Sequence, residues 1–196
     1  MPKIVDHEAR RGEIVRAAWR IIVRDGFDAA TMAAIAAEAG FANGALKPYF
    51  ATKHDLLVAA FEHLYDQTTR RVAAATEGLV GVAALRTYCV EFMPLSDTTD
   101  DEARVIIPFW HHALTDPDLA RRHEQAMAIW RRDLRRHVRA GIERGEITAE
   151  VDAARLIELI LTTLHGSQIT ATVTATPRRS LERQLDDLLH LLTPQA

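Results

Sequence analysis

Apolar residues recur at three- and four-residue spacing along almost the whole chain, and glycine or proline cuts the pattern into segments. A period near 3.6 gives a helix one apolar face to turn toward a core. This feature constrains the fold more than any other, and it predicts an all-α chain of about nine helices. Ile14, Ala18, Ile21 and Ile22 make the first stripe, and Asp25-Gly26 stops it. Thr31 caps a short segment over 32–39, which Gly40 closes. A third short segment covers 43–49. A fourth begins at Thr52 and carries Leu57, Phe61, Leu64 and Val72 on one side. Further helices are expected over 82–93, 103–114, 116–145, 151–173 and 177–192. Residues 96–102 read as a polar loop, and Pro108 should kink or restart its helix. Residues 169–176 are β-branched and alternating, which locally suggests a strand. No other segment could pair with it, so it is assigned to a helix end.

Composition enters through charge. The chain carries a net charge of -3, which excludes a uniformly basic nucleic-acid coat and requires any DNA contact to be local. The first fifty residues hold seven Lys+Arg and six Asp+Glu, whereas the remainder carries a net charge of -4. Between Glu38 and Asp55 no acidic residue occurs, while Lys47, Lys53 and His54 lie inside that window. The lone Cys89 excludes an intrachain disulfide and a cysteine metal site, and it fits a reducing compartment. The first residues lack the apolar core of a signal peptide, and no apolar run approaches the roughly 18 residues of a membrane span. A cytoplasmic protein without a membrane partner is expected.

Two short helices joined by a tight turn and packed on a longer first helix form a helix-turn-helix, whose second short helix enters the major groove. Thr31, Ile35, Ala36, Ala39, Gly40, Gly44, Leu46, Tyr49, Phe50 and Lys53 have that spacing. Ala36 is small where the helices would cross, and Gly40 stands where the turn needs a positive φ. Ile35, Leu46 and Phe50 supply a small core. The stretch TMAAIAAEAGFANGALKPYFATKHDLL resembles the DNA-binding signature of the tetracycline-repressor (TetR) family, a likeness covering residues 13–64. WHHALTDPDLARRHEQAMAIWRRDL resembles the regulatory domain of its BetI-like branch.

This resemblance implies a homodimeric, ligand-responsive transcriptional regulator, usually a repressor, bound to palindromic operator DNA and released by a small-molecule effector. It implies a DNA-binding domain over 1–52, with the motif at 31–50, and a regulatory, ligand-binding and dimerisation domain over 53–196. Thr31, Tyr49 and Lys53 would contact phosphates. Asn43, Ala45 and Lys47 would face the groove, with Gly44 permitting close approach, and Arg10 is a further DNA-binding candidate. Three positions depart from the family's pattern. Ala42 stands where Ser or Thr caps the recognition helix, Lys47 where many members have Tyr, and Pro48 lies within the short helix. A competing reading is therefore a helical ligand-binding or scaffold protein that has lost DNA binding.

Phe61, Tyr65, Tyr88, Phe92, Trp110 and Trp130 are the candidate walls of a ligand pocket, with Tyr88, His111, His165 and Gln168 as polar anchors. Core packing competes as a reading for each of them. The tryptophans admit a cationic ligand through cation–π contact. Leu156, Ile160 and Leu164, with Leu181, Leu185, Leu188 and Leu192, are expected to meet the same residues of a second chain in a four-helix bundle. The eight arginines of 116–145 (Arg121, Arg122, Arg131, Arg132, Arg135, Arg136, Arg139 and Arg144) read as a solvated or ion-paired face. His111 and His112 are adjacent and point apart, and no HxxxH pair with a carboxylate occurs, so no metal or cofactor is expected. No nucleophile–base motif, Walker loop or dinucleotide fingerprint is present, and no enzymatic activity is expected.

Overall fold

The computed structural model describes residues 7–42, 44–148, 150 and 152–193. Among these residues it contains eight α-helices and no strand: α1 His7–Asp25, α2 Met32–Glu38, α3 Lys53–Ala75, α4 Gly81–Phe92, α5 Asp97–Ala113, α6 Pro117–Glu143, α7 Ala153–Thr174 and α8 Arg178–His190. The protein is all-α, as its periodicity predicts. Of the helix expected over 43–49, the described residues 44–49 form turns instead.

α1, α2 and the start of α3 form a head. Ile14, Ala18 and Ile21 of α1 meet Ile35 and Ala36 of α2, Leu46 and Phe50 of the intervening segment, and Leu56 of α3. Val105, Ile106 and Phe109 of α5 and Leu119 of α6 belong to the same core, so the head rests directly on the helices below. A second core joins α4, α6, α7 and α8 through residues such as Leu85, Leu134, Val138, Ile157, Leu181 and Leu185. α3 runs through both, with Leu56 and Leu64 in the first and Val72 in the second. Its start is fixed by a capping box: the Thr52 hydroxyl accepts from Asp55 N at 3.1 Å, and the Asp55 carboxylate accepts from Thr52 N at 3.0 Å.

Two local expectations change, and the assignment of 169–176 to a helix end holds as far as Thr174. Residues 97–102 are helical rather than a loop, because Ser96 and Thr99 form a capping box of their own at 3.2 and 3.0 Å. Pro108 neither breaks nor restarts α5. Buried Val105, Ile106 and Phe109 hold the helix there, and tertiary packing outweighs a local cost of about 3 kcal/mol. Residues 169–174 complete α7, where the hydroxyls of Thr170 and Thr174 donate to carbonyls one turn back, at 2.9 and 2.6 Å.

The leucines expected between two chains are placed differently. Leu156, Ile160, Leu164, Leu181, Leu185 and Leu192 are buried within the single chain, and Leu188 is half-buried against them. α7 is apolar nearly all round, and one side is consumed by α4, α5 and α6 of its own chain. The apolar side chains it leaves outward are Leu159, Ile169 and Val173, the last 70% exposed.

Candidate nucleic-acid interface and effector cavity

Gly40 turns the chain after α2 at φ +74. Its N–H donates to Ala37 O at 3.1 Å and that of Phe41 to Ala36 O at 2.8 Å, the paired bonds of a Schellman closure. From Gly44 to Tyr49 the backbone makes successive turns rather than a helix. Ala45 N donates to Ala42 O at 3.0 Å, Lys47 N to Gly44 O at 3.4 Å, and Tyr49 N and Phe50 N both reach Leu46 O at 2.9 Å. Two residues account for the interruption. Gly44 takes φ +85, outside the right-handed helical region, and Pro48 has no N–H to return to Gly44. Asn43, expected to face the groove, lies outside the described residues.

The segment is held from beneath and from one side. Leu46 and Phe50 are each 1% exposed. The Arg11 guanidinium donates to Tyr49 O at 2.9 Å and stands 4.2 Å from the centre of the Phe50 ring. Outward from this base, Gly44, Lys47 and Pro48 are exposed, while Ala45 and Tyr49 are half-buried. The Tyr49 ring packs 4.6 Å from His7 and 6.0 Å from Phe41. Thr31 is exposed and caps α2, its hydroxyl accepting from Ala34 N at 3.1 Å. Lys53 opens α3 with its ammonium 5.3 Å from the Phe27 ring centre. Arg10 is exposed, pairs with Glu13 at 3.3 Å and lies 5.4 Å from Phe41.

The acidic groups nearby are already occupied. Glu38 binds Arg20 at 2.7 Å and Arg24 at 3.2 Å, which holds its carboxyl below the usual range. Asp55 is used in the α3 capping box. Lys47 and Lys53 make no ion pair among the described residues, so their charge is available to phosphate.

The second site lies between α3, α4, α5, α6 and α7. Of the expected pocket residues, Tyr65, Phe92, Trp110, Trp130, His165 and Gln168 come together there, joined by Thr68, Glu102 and His123. The slot they enclose holds about 20 Å³, the room of a single water. Tyr65 Oη and His123 Nδ1 are hydrogen-bonded at 2.9 Å, and Gln168 Nε2 donates to Phe92 O at 3.2 Å. Trp110 meets His165 edge-on at 4.9 Å, as Trp130 meets Phe92 at 4.5 Å. Trp110 Nε1 is buried with no hydrogen-bond partner among the described residues.

Burial controls protonation in the slot. It pushes His165 down to about 4, with His123 and Arg131 adding to the shift, and it lowers His123 as well. Desolvation raises the Tyr65 phenol above its ordinary value. With both imidazoles neutral, Glu102 is the one formally charged side chain on the slot wall. It is 6% exposed and accepts from Thr68 Oγ1 at 3.2 Å and from the Arg71 guanidinium at 2.5 and 2.7 Å. Arg71 also donates to the Glu91 carboxylate and to Glu91 O, each at 2.8 Å. One guanidinium thus serves two carboxylates.

Three expected pocket residues are elsewhere. Phe61 packs on Phe109 at 3.8 Å, under the head. Tyr88 stacks on Phe92 at 5.0 Å and does not line the slot. His111 is exposed, because it follows Trp110 by one residue and so turns about 100° away around α5. The residues that sequence reasoning missed carried a signal in their spacing. His123 stands two turns before Trp130, and Thr68 one turn after Leu64, each on a lining face. The arginine face of α6 is largely ion-paired: Arg122 with Asp118 and Glu62, Arg131 with Glu124 and Glu158, and Arg144 with Glu146.

A helix-turn-helix head seated on a helical body that encloses a polar-aromatic slot defines a class: the one-component regulators that join a DNA reader to a ligand sensor. Comparison with known sequences makes the class specific, and the chain belongs to the TetR family. The description "Bacterial regulatory proteins, tetR family" matches residues 14–60, and "BetI-type transcriptional repressor, C-terminal" matches residues 81–194. The regulator PksA of Bacillus subtilis (strain 168) is 34% identical over 120 residues, covering 61% of this chain and 58% of that protein. BetI of Burkholderia mallei (strain NCTC 10229) is 30% identical over 125 residues, covering 62% of this chain and 63% of BetI. The similarity therefore spans under two thirds of the length of these relatives.

Two solved structures show the same fold. A transcriptional regulator from Saccharomonospora viridis in complex with choline superposes with a TM-score of 0.85 at 22% identity, covering 96% of this chain and 99% of that one. A TetR regulator from Haloarcula marismortui ATCC 43049 gives 0.85 at 20% identity, covering 95% and 100%. Among the described residues, no helix is long and apolar enough to cross a membrane.

Proposed function

We propose that this protein is a cytoplasmic repressor that binds palindromic operator DNA as a homodimer and is released by a small cationic effector. The observation that carries the DNA-binding half is the charge arrangement of the head. Among the described residues Lys47 and Lys53 have no ion pair, while Glu38 and Asp55 are engaged within the chain. Phosphate contacts from Thr31, Tyr49 and Lys53 set the register, with Arg10 at the margin. Gly44, Ala45 and Lys47 meet the base edges. Residues 1–52 serve as reader and residues 53–196 as sensor and dimerisation unit. The outward apolar side chains of α7, Leu159, Ile169 and Val173, are the surface offered to a second copy.

The effector class follows from the slot. Its walls are Tyr65, Phe92, Trp110 and Trp130, its histidines are neutral, and its one charge is the carboxylate of Glu102. Aromatic faces and a carboxylate suit a compact cation. The choline held by the structural neighbour from Saccharomonospora viridis supports that choice. At about 20 Å³ the slot must open to admit it. Binding therefore selects a second arrangement of the helices, and unequal affinity for the two arrangements is what moves the equilibrium. α3 starts in the head at Lys53 and carries Tyr65 and Thr68 into the slot, so displacement at one end reaches the other through a single helix.

A salt-titrated gel shift on the DNA upstream of the protein's own gene tests the reading. Saturable, sequence-preferring binding with a steep salt dependence is expected. Lys53→Ala should reduce the salt slope by about 1, whereas Lys47→Ala should chiefly relax the sequence preference. Binding without preference, unchanged in the double variant, would establish the scaffold reading instead.

A further inference from the structure

Glu102 belongs to two cavities. It lines the slot, and it also lines an open cleft of about 330 Å³ between α1, α3 and α5, whose other walls include Arg16, Trp19, Arg20, His63 and Arg71. A single buried carboxylate thus separates an uncharged aromatic chamber from a cationic cleft at the base of the head. We infer that Glu102 is the residue that both selects a positively charged effector and transmits its arrival, by exchanging Arg71 for the ligand. This rests on the cationic-effector reading above.

The geometry supports an exchange rather than simple addition. Arg71 occupies both Glu102 oxygens, so a cation entering the slot meets a carboxylate that is already bound. Two cations on one buried carboxylate repel each other in a medium that screens poorly. Arg71 has somewhere to go, because Glu91 already accepts from it twice on the far side. That alternative makes its release cheap compared with breaking an isolated buried pair, which would strand a charge. Arg71 already lines the cleft beside Arg16 and Arg20 of α1, and its separation from Glu102 removes a carboxylate that offsets the charge there. Like charge there loosens α1 from α5. α1 also carries Arg11, which fastens the reading segment at Tyr49 O. Beside the route along α3, the exchange thus adds a second one through Glu102, Arg71, α1 and Arg11.

A neutral ligand of the same shape has no claim on Glu102 and leaves Arg71 in place. The discriminating probes are choline and its uncharged carbon isostere, 3,3-dimethylbutan-1-ol, measured by calorimetry for binding and by gel shift for DNA release. The wild-type protein should bind choline and release operator, and the isostere should cause no release. Arg71→Met leaves Glu102 free for the ligand, so choline should bind roughly tenfold tighter while no longer changing operator affinity. Glu102→Gln should abolish the preference for choline over its isostere. The double variant Arg71→Met with Glu102→Gln removes both charges together and should fold and show no preference, which covers the case in which either single variant is too unstable to assay. Equal choline affinity in the wild type and Arg71→Met overturns the exchange, as does a charge preference that survives in Glu102→Gln or in the double variant. Failure of choline and tetramethylammonium to bind either the wild type or Arg71→Met removes the cationic-effector reading itself, and the exchange with it.

Discussion

Polar groups around the reading face are held by bonds within the chain, whereas those around the slot are left out of balance. In the head, Glu38 sits between Arg20 and Arg24, Thr31 and Thr52 cap their helices, and Arg11 ties down Tyr49 O. In the slot, Trp110 Nε1 has no partner among the described residues, two imidazoles are kept neutral by burial, and Arg71 is divided between Glu91 and Glu102. The first pattern gives a surface that keeps its shape before meeting DNA, which lowers the ordering cost of binding. The second leaves hydrogen-bonding capacity and an unbalanced charge for something that arrives later.

The most damaging way to test the contrast is to hollow out the head. Phe50 is 1% exposed and anchors the turns from below. Phe50→Ala should cost about 3–5 kcal/mol and abolish operator binding. Calorimetric binding of choline, measured below the lowered melting temperature, should persist, since the slot shares none of its lining with Phe50. Loss of both functions together would show that the two regions are not separable.

Acidification should strike the slot. The folded-state pKa of His165 is about 4, below the ordinary 6.5, so between these values the unfolded chain binds the extra proton more readily. The contribution is therefore complete above about pH 6.5 and declines as pH falls toward 4, by about 3 kcal/mol at its fullest. Denaturant titrations across that window should show the decline, and His165→Leu should flatten it.

A smaller effect concerns Tyr88, whose Oη is buried without a partner among the described residues. Tyr88→Phe should leave stability unchanged or raise it by about 1 kcal/mol, with choline affinity unaltered because the residue stands outside the slot. A loss of stability would mean that the hydroxyl is satisfied by bound water. The smallest expected change is at Thr31. Thr31→Ala should cost about 1 kcal/mol through the lost cap. Thr31→Asp should restore stability but weaken operator binding further, since a carboxylate would face the phosphate. Equal operator affinity in both variants would leave Thr31 as a cap alone.

The same contrast explains what was legible in the sequence. The reading face comes from one continuous stretch, so Thr31, Gly40, Leu46, Tyr49 and Lys53 can be placed by spacing. What that stretch conceals is the combined effect of Gly44 and Pro48, each tolerable in a short helix and together enough to turn it into turns. The slot draws on five helices, and its membership depends on packing angles that no local pattern encodes. Tyr65, Phe92, Trp110 and Trp130 were found because aromatic residues in a helical body must pack somewhere. Glu102 was hidden in a polar run that resembles a loop, and His123 among arginines. The leucines of α7 and α8 show the opposite error. Their periodicity reports burial accurately but is silent on whether the burying surface is the same chain or another.

The turns from Gly44 to Tyr49 give the reading segment an unusual division of labour. In a continuous helix each outward residue also contributes, through its helix propensity, to the element that displays it. Here the display is carried by Leu46, Phe50 and Arg11 from below, and Ala45 and Lys47 are free of that duty. Operator preference in this protein can therefore drift, or be redesigned, by changing exposed side chains while the scaffold beneath them stays as it is.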